Sequence, residues 1–89
     1  MENLGNTQFF QVENDTASVR EVMQEVIEAM NDKGYNPVNQ IVGYVMSGDP
    51  TYITSHMGAR SKIMKLERDE IVEELLNDYI KNNHWDVME

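Results

Sequence analysis

Two apolar stripes at helical spacing organise this chain. Val19, Val22, Met23, Val26, Ile27 and Met30 fall at i, i+3, i+4, i+7, i+8 and i+11. That spacing puts all six on one face of an α-helix. Ser18 and Glu21 stand at capping-box spacing at its start, where each side chain can satisfy a backbone N–H of the other. Gly34 supplies the left-handed stop. Ile71, Val72, Leu75, Leu76, Tyr79 and Ile80 form the second stripe, which runs to about Lys81.

Two shorter helices are expected between them. Asn36 can cap and Pro37 suits the first helical position, where its missing N–H costs nothing. The second helix then runs from about Pro37 to Ser47, with Ile41, Val42, Val45 and Met46 on its apolar side. Gly48-Asp49-Pro50 ends it. Gly43 inside it costs about 1 kcal/mol against Ala, and a close helix–helix crossing is the expected reason. After a short turn at 51–53, Thr54 or Ser55 caps a third helix from about His56 to Leu66. Met57, Ala59, Ile63 and Leu66 are expected to face inward, with Asp69 capping or interrupting before the fourth helix.

Residues 1–15 lack this periodicity and read as a flexible arm. Within it, Gln8-Phe9-Phe10-Gln11-Val12 can extend. Phe9 and Phe10 are candidates to dock on the body, since an aromatic pair is costly to leave in water. Residues 83–89 read as a frayed tail. The expected architecture is all-α: a compact helical domain of about four helices over residues 16–82, with the arm at 1–15.

Size adds a constraint. A domain within an 89-residue chain buries only roughly 60% of the surface its unfolded chain exposes. Homodimerisation is the expected remedy, with Asn39, Gln40 and Tyr44 as the candidate surface. There is no cysteine, which excludes disulfides and thiolate metal sites and fits a cytoplasmic protein. Met1-Glu2-Asn3 begins without the basic and apolar regions of a leader. No apolar run approaches the roughly 18 residues that read as a membrane span.

Sixteen acidic residues against seven basic ones give a formal charge of −9. Nucleic acid and anionic membrane are repelled at long range, so protein partners are favoured. Four of the seven basic residues fall at Arg60, Lys62, Lys65 and Arg68. They are either a partner-binding stripe or a solvated face with local pairs such as Arg68 with Glu70 or Glu74.

Catalytic chemistry is not legible. Gly43 to Gly48 has neither the spacing nor the Lys of a phosphate loop. His56 and His84 read as separate surface histidines without metal-ligand spacing. Asp69-Glu70 and Glu73-Glu74 are carboxylate pairs by adjacency only, and neighbouring helix positions diverge by about 100°. No serine has a base beside it, and the methionines read as core. No catalytic, cofactor-binding or metal-binding residue is assigned. Thr7 ahead of Phe9 and Phe10 offers a hydroxyl to a kinase; taken alone, it is an ordinary solvated residue.

Three longer segments carry more information. They are Gly34-Tyr35-Asn36-Pro37-Val38-Asn39-Gln40-Ile41-Val42-Gly43-Tyr44, Ser47-Gly48-Asp49-Pro50-Thr51-Tyr52-Ile53, and Leu66-Glu67-Arg68-Asp69-Glu70-Ile71-Val72-Glu73-Glu74-Leu75. In this order they closely resemble the IreB/ReoM family of small regulators of low-GC Gram-positive bacteria, from about Thr7 to Asn82. The resemblance implies a helical homodimer that is a substrate of a PASTA-type Ser/Thr kinase, with a PP2C-type phosphatase reversing the mark. It implies control of peptidoglycan synthesis and cell-wall antibiotic resistance. The route is Clp-protease degradation of MurA, promoted by the unphosphorylated protein. Thr7 matches the family's phosphoacceptor, while a second threonine of some members is Leu4 here. Arg60 matches a basic position of the third helix. Ser55 and Met64 stand where relatives carry basic residues, so part of that surface is missing. A second reading keeps the helical dimer as a scaffold for another cytoplasmic protein, with Thr7 incidental.

Overall fold

Ser18 Oγ accepts the N–H of Glu21 at 3.1 Å, and Glu21 Oε1 accepts the N–H of Ser18 at 3.3 Å. This reciprocal pair starts α1 (Val19–Asp32). The computed structural model describes residues 18–85, and all of its regular elements are helical. α2 (Pro37–Ser47) follows, capped by the Asn36 carboxamide oxygen on the N–H of Asn39. Two single 3₁₀ turns, Pro50–Tyr52 and His56–Gly58, lead into the short α3 (Ala59–Ile63), and α4 (Arg68–Asn82) completes the fold.

Two helices stop by the same device. Past α1, Gly34 is left-handed at φ +79. Its N–H donates to Asn31 O and that of Tyr35 donates back to Met30 O. Past α4, His84 takes the left-handed conformation at φ +60, and Trp85 N–H donates to Ile80 O. Carbonyls that would otherwise lack donors are thereby satisfied. The Trp85 ring then meets Tyr79 edge-on with centroids 5.5 Å apart.

The core gathers on one side of α1. Met23, Val26, Ala29 and Met30 are buried there. Ile41 and Tyr44 come from α2, Ile53 from the loop, Ala59 and Ile63 from α3, and Ile71 from α4. Full burial of side chains the size of Met30, Ile53, Ile63 and Ile71 stabilises by about 1.5–3 kcal/mol each.

The third helix departs from expectation. Met57 is left-handed at φ +52, and so is Gly58 at φ +75. These two residues break the expected run from His56, so regular helix begins only at Ala59 and ends at Ile63. Met57 points outward, 57% exposed. Thr54 Oγ1 caps the turn by accepting the N–H of His56 at 3.1 Å. The cap of α4 also lies two residues earlier than Asp69: Glu67 N–H donates to Glu70 Oε1 at 3.0 Å.

Gly43 has a different reason from the expected helix crossing. A Cβ placed there would lie 2.7 Å from Cε1 of Tyr52, in the 3₁₀ turn that folds back on α2. The second apolar stripe also differs from expectation. Of its residues only Ile71 is buried; Val72, Leu75, Leu76 and Tyr79 stay exposed on the single chain.

The Gly43–Tyr52 contact makes a prediction. Gly43→Ala should fail to deliver the roughly 1 kcal/mol that helix propensity promises, because the Tyr52 ring must move. In a Tyr52→Ala background the same change should stabilise. Urea unfolding of the four proteins gives the coupling between the two sites; additive effects would refute the contact.

Candidate partner-binding surface

Arg60 and Lys62 lie on α3, Lys65 in the turn after it, and Arg68 at the start of α4. The structure commits three of the four to other groups. Arg60 is half-buried, and its Nε donates to Ile53 O at 2.8 Å. Arg68 Nη1 donates to Val45 O at 2.8 Å. Its guanidinium lies over Gly48, where a Cβ would meet Cζ at 3.0 Å. Lys62 Nζ pairs with Glu25 Oε1 of α1 at 3.1 Å. Lys65 is exposed and makes no ion pair among the described residues.

The two arginines thus hold opposite ends of one loop. Val45 O belongs to the last turns of α2, and Ile53 O follows the 3₁₀ turn at 50–52. Between them Ser47 Oγ donates to Gly43 O at 2.7 Å and accepts the N–H of Asp49 at 2.9 Å. The Asp49 carboxylate accepts both the hydroxyl and the N–H of Thr51, at 2.7 and 3.0 Å. Those two bonds, with a smaller contribution from the Arg60 charge, hold Asp49 below the ordinary carboxylate range. A guanidinium carries several N–H donors. Each arginine keeps donors beyond the one spent on a carbonyl, so the pair can grip the loop and still present charge.

The local pairing read from sequence does not form. Arg68 turns to Val45 O instead of Glu70 or Glu74. Glu70 serves the start of its own helix, and Glu74 pairs with Arg20 of α1 at 3.1 Å. Arg20 also reaches Asp78 at 3.0 Å. His56 is half-buried, not a free surface ring: its Nε2 lies 2.8 Å from Asp32 Oδ2. Partners 24 and 54–58 residues away leave no spacing signal in the sequence. Of the candidate dimer residues, Tyr44 is buried, and Gln40 is half-buried and accepts the N–H of Thr54 at 3.0 Å. The exposed apolar residues of α2 are Val38, Val42 and Met46. Thr7 lies outside the described residues. Among those residues no cluster of His, Asp or Glu is arranged to hold a metal ion, and no helix is long and apolar enough to cross a membrane.

The family described as IreB regulatory phosphoprotein matches residues 5–81. The chain belongs to the IreB family. A UPF0297 protein of Lachnoclostridium phytofermentans is 58% identical over 84 residues, covering 93% of this chain and 96% of that one. A UPF0297 protein of Acetivibrio thermocellus is 54% identical over 76 residues, covering 84% of each. The IreB match includes the position of Thr7 as well as all four basic residues. A regulatory role follows from the family.

Asp49 gives this surface a pH dependence. A carboxyl depressed in the folded state adds stability that is present above its unfolded pKa of about 3.9 and lost as pH falls through the folded value. Acid below about pH 4 should therefore loosen the loop. Thr51→Val removes the hydroxyl donor and should move the Asp49 titration upward in an NMR carboxyl titration. An unmoved titration would show that the Thr51 hydroxyl does not hold Asp49.

Proposed function

We propose that this protein is a non-enzymatic, cytoplasmic regulator of cell-wall synthesis, switched by phosphorylation of Thr7. The kinase is of the PASTA Ser/Thr type, and a PP2C-type phosphatase removes the mark. Unphosphorylated, the protein promotes Clp-protease degradation of MurA and so restrains peptidoglycan synthesis and cell-wall antibiotic resistance. The IreB match across residues 5–81 carries this reading. Lys65 and the remaining N–H groups of Arg60 and Arg68 form the proposed partner surface, with Lys62 at its edge.

A phosphate on Thr7 adds about −1.5 to −2 charges and three strong acceptor oxygens. Residues 1–17 contain no Lys or Arg to pair with it. Arginine–phosphate bonds are charge-assisted and often bidentate. Docking of the phosphate on Arg60 or Arg68 would mask the surface that the partner uses. Thr7→Ala should then stay active as an adaptor, with MurA half-life remaining short and sensitivity to wall-active drugs persisting under active kinase. Lys65→Ala should lengthen MurA half-life while changing stability by less than about 0.5 kcal/mol. A Thr7→Ala strain that behaves like the parent would place the switch at another hydroxyl.

The active form is proposed to be a homodimer. Val72, Leu76 and Tyr79 on α4, and Val38, Val42 and Met46 on α2, are apolar and exposed on the single chain. Light scattering at micromolar concentration should give twice the 10.3 kDa chain mass; a monomer there would defeat this. The same faces suit the second reading, a helical dimer that scaffolds another protein without a switch. Incorporation of phosphate by a PASTA kinase into the parent but not into Thr7→Ala separates the two.

A further inference from the structure

A groove of about 320 Å³ runs between α1 and α4. Met23, Ile27 and Leu75 form its apolar lining, and Arg20, Glu74 and Asp78 lie along its edge. Met23 is 5% exposed at its base, whereas Leu75 is 48% exposed. Arg20 bridges both carboxylates at 3.1 and 3.0 Å, which leaves the edge with one net negative charge. The apolar lining suits an uncharged strip, and the residual negative edge disfavours an acidic partner.

We propose that the chain's own Phe9-Phe10-Gln11-Val12 segment fills this groove, folded back along α1. Four observations meet here. Arg20 belongs to the first turn of α1, so the groove opens where the upstream chain enters the body at Ser18. The five residues between Val12 and Ser18 make a link of six residue steps, which spans about 20 Å at roughly 3.3–3.6 Å per residue. Met23 and Ile27 lie only about 8–13 Å along the axis from Ser18, at 1.5 Å per residue. Asn14-Asp15, in the middle of that link, are turn-forming residues suited to the reversal. Both phenylalanines of the chain are Phe9 and Phe10, in a stretch from 8 to 12 that carries no charge. Burial of an aromatic side chain removes 150–250 Å² or thereabouts from water, and this groove is an apolar cleft within reach of the link.

The absence of cysteine makes a direct test simple. A nitroxide on Gln8→Cys, in otherwise intact unphosphorylated protein, should broaden the methyl resonances of Met23, Ile27 and Leu75 and spare those of Met46 and Met57. Phe9→Ala with Phe10→Ala should abolish the broadening. Without any spin label, that double substitution should shift the Met23 and Leu75 methyl signals as the ring currents vanish. Broadening that appears only on mixing spin-labelled with isotope-labelled copies would assign the groove to a partner's segment and overturn the proposal. Groove signals that move with protein concentration but ignore both phenylalanines would assign it to the body of a second copy, and would overturn it equally. None of these readouts depends on Thr7 phosphorylation or on MurA.

Discussion

Burial of one face of α1 is the interaction on which the domain rests. Four of the ten core residues are Met23, Val26, Ala29 and Met30 on that face. The rest comes in ones and twos: Ile41 and Tyr44 from α2, Ile53 from the loop, Ala59 and Ile63 from α3, Ile71 from α4. No second helix could organise the rest, because α2 and α4 leave much of their apolar surface outside. α3 is a turn and a half long and cannot hold its shape alone, since short isolated helices are marginal in water. It persists because Ala59 and Ile63 are wholly buried in the core and Lys62 reaches Glu25 of α1. The capping box at Ser18 and the left-handed stop at Gly34 fix the length of the face that the others share.

A chain with this acid excess spends its cations on architecture. Arg20 ties α4 to α1, Lys62 ties α3 to α1, and Arg60 and Arg68 take carbonyls at the two ends of the 47–53 loop. The ion pairs of Arg20 and Lys62 are partly exposed and contribute little each, about 0–1 kcal/mol. Their larger effect is positional. The carbonyl bonds of Arg60 and Arg68 fix where the two guanidinium groups sit, so the basic surface has a fixed shape. Lysine in their place would lose the planar fork that permits bonding to a carbonyl and to a further acceptor at once.

What was legible in the sequence was local. Ser18-Glu21, Asn36-Pro37 and Gly34 announce helix ends through chemistry that acts over three or four residues, and α1 and α2 follow those signals closely. Periodicity likewise found both long stripes. It gave no means of telling a stripe that meets the chain's own core from one that faces away, which is why Ile71 is buried while Leu76 is not. Gly43 showed that something approaches the helix but not that it is the Tyr52 ring. The third helix failed as an expectation because Met57 has no side-chain property that marks a left-handed backbone; the tertiary setting imposes it. The basic stripe was visible as residues, whereas its division between carbonyl-holding and free cations arises from contacts such as Arg68 with Val45, distant in the chain.

Met57 also bears on which sequences can reach this fold. A left-handed residue followed by left-handed Gly58 turns the chain sharply just before α3, and the direction of that turn sets how Ala59 and Ile63 enter the core. Glycine and asparagine adopt such a backbone readily, whereas β-branched residues and proline do not. Since the Met57 side chain is in solvent, its chemical character is nearly free while its backbone is tightly constrained. Neutral drift at this position should therefore wander among polar and flexible residues and halt at valine, isoleucine or proline, a barrier set by dihedral angle rather than by hydrophobicity.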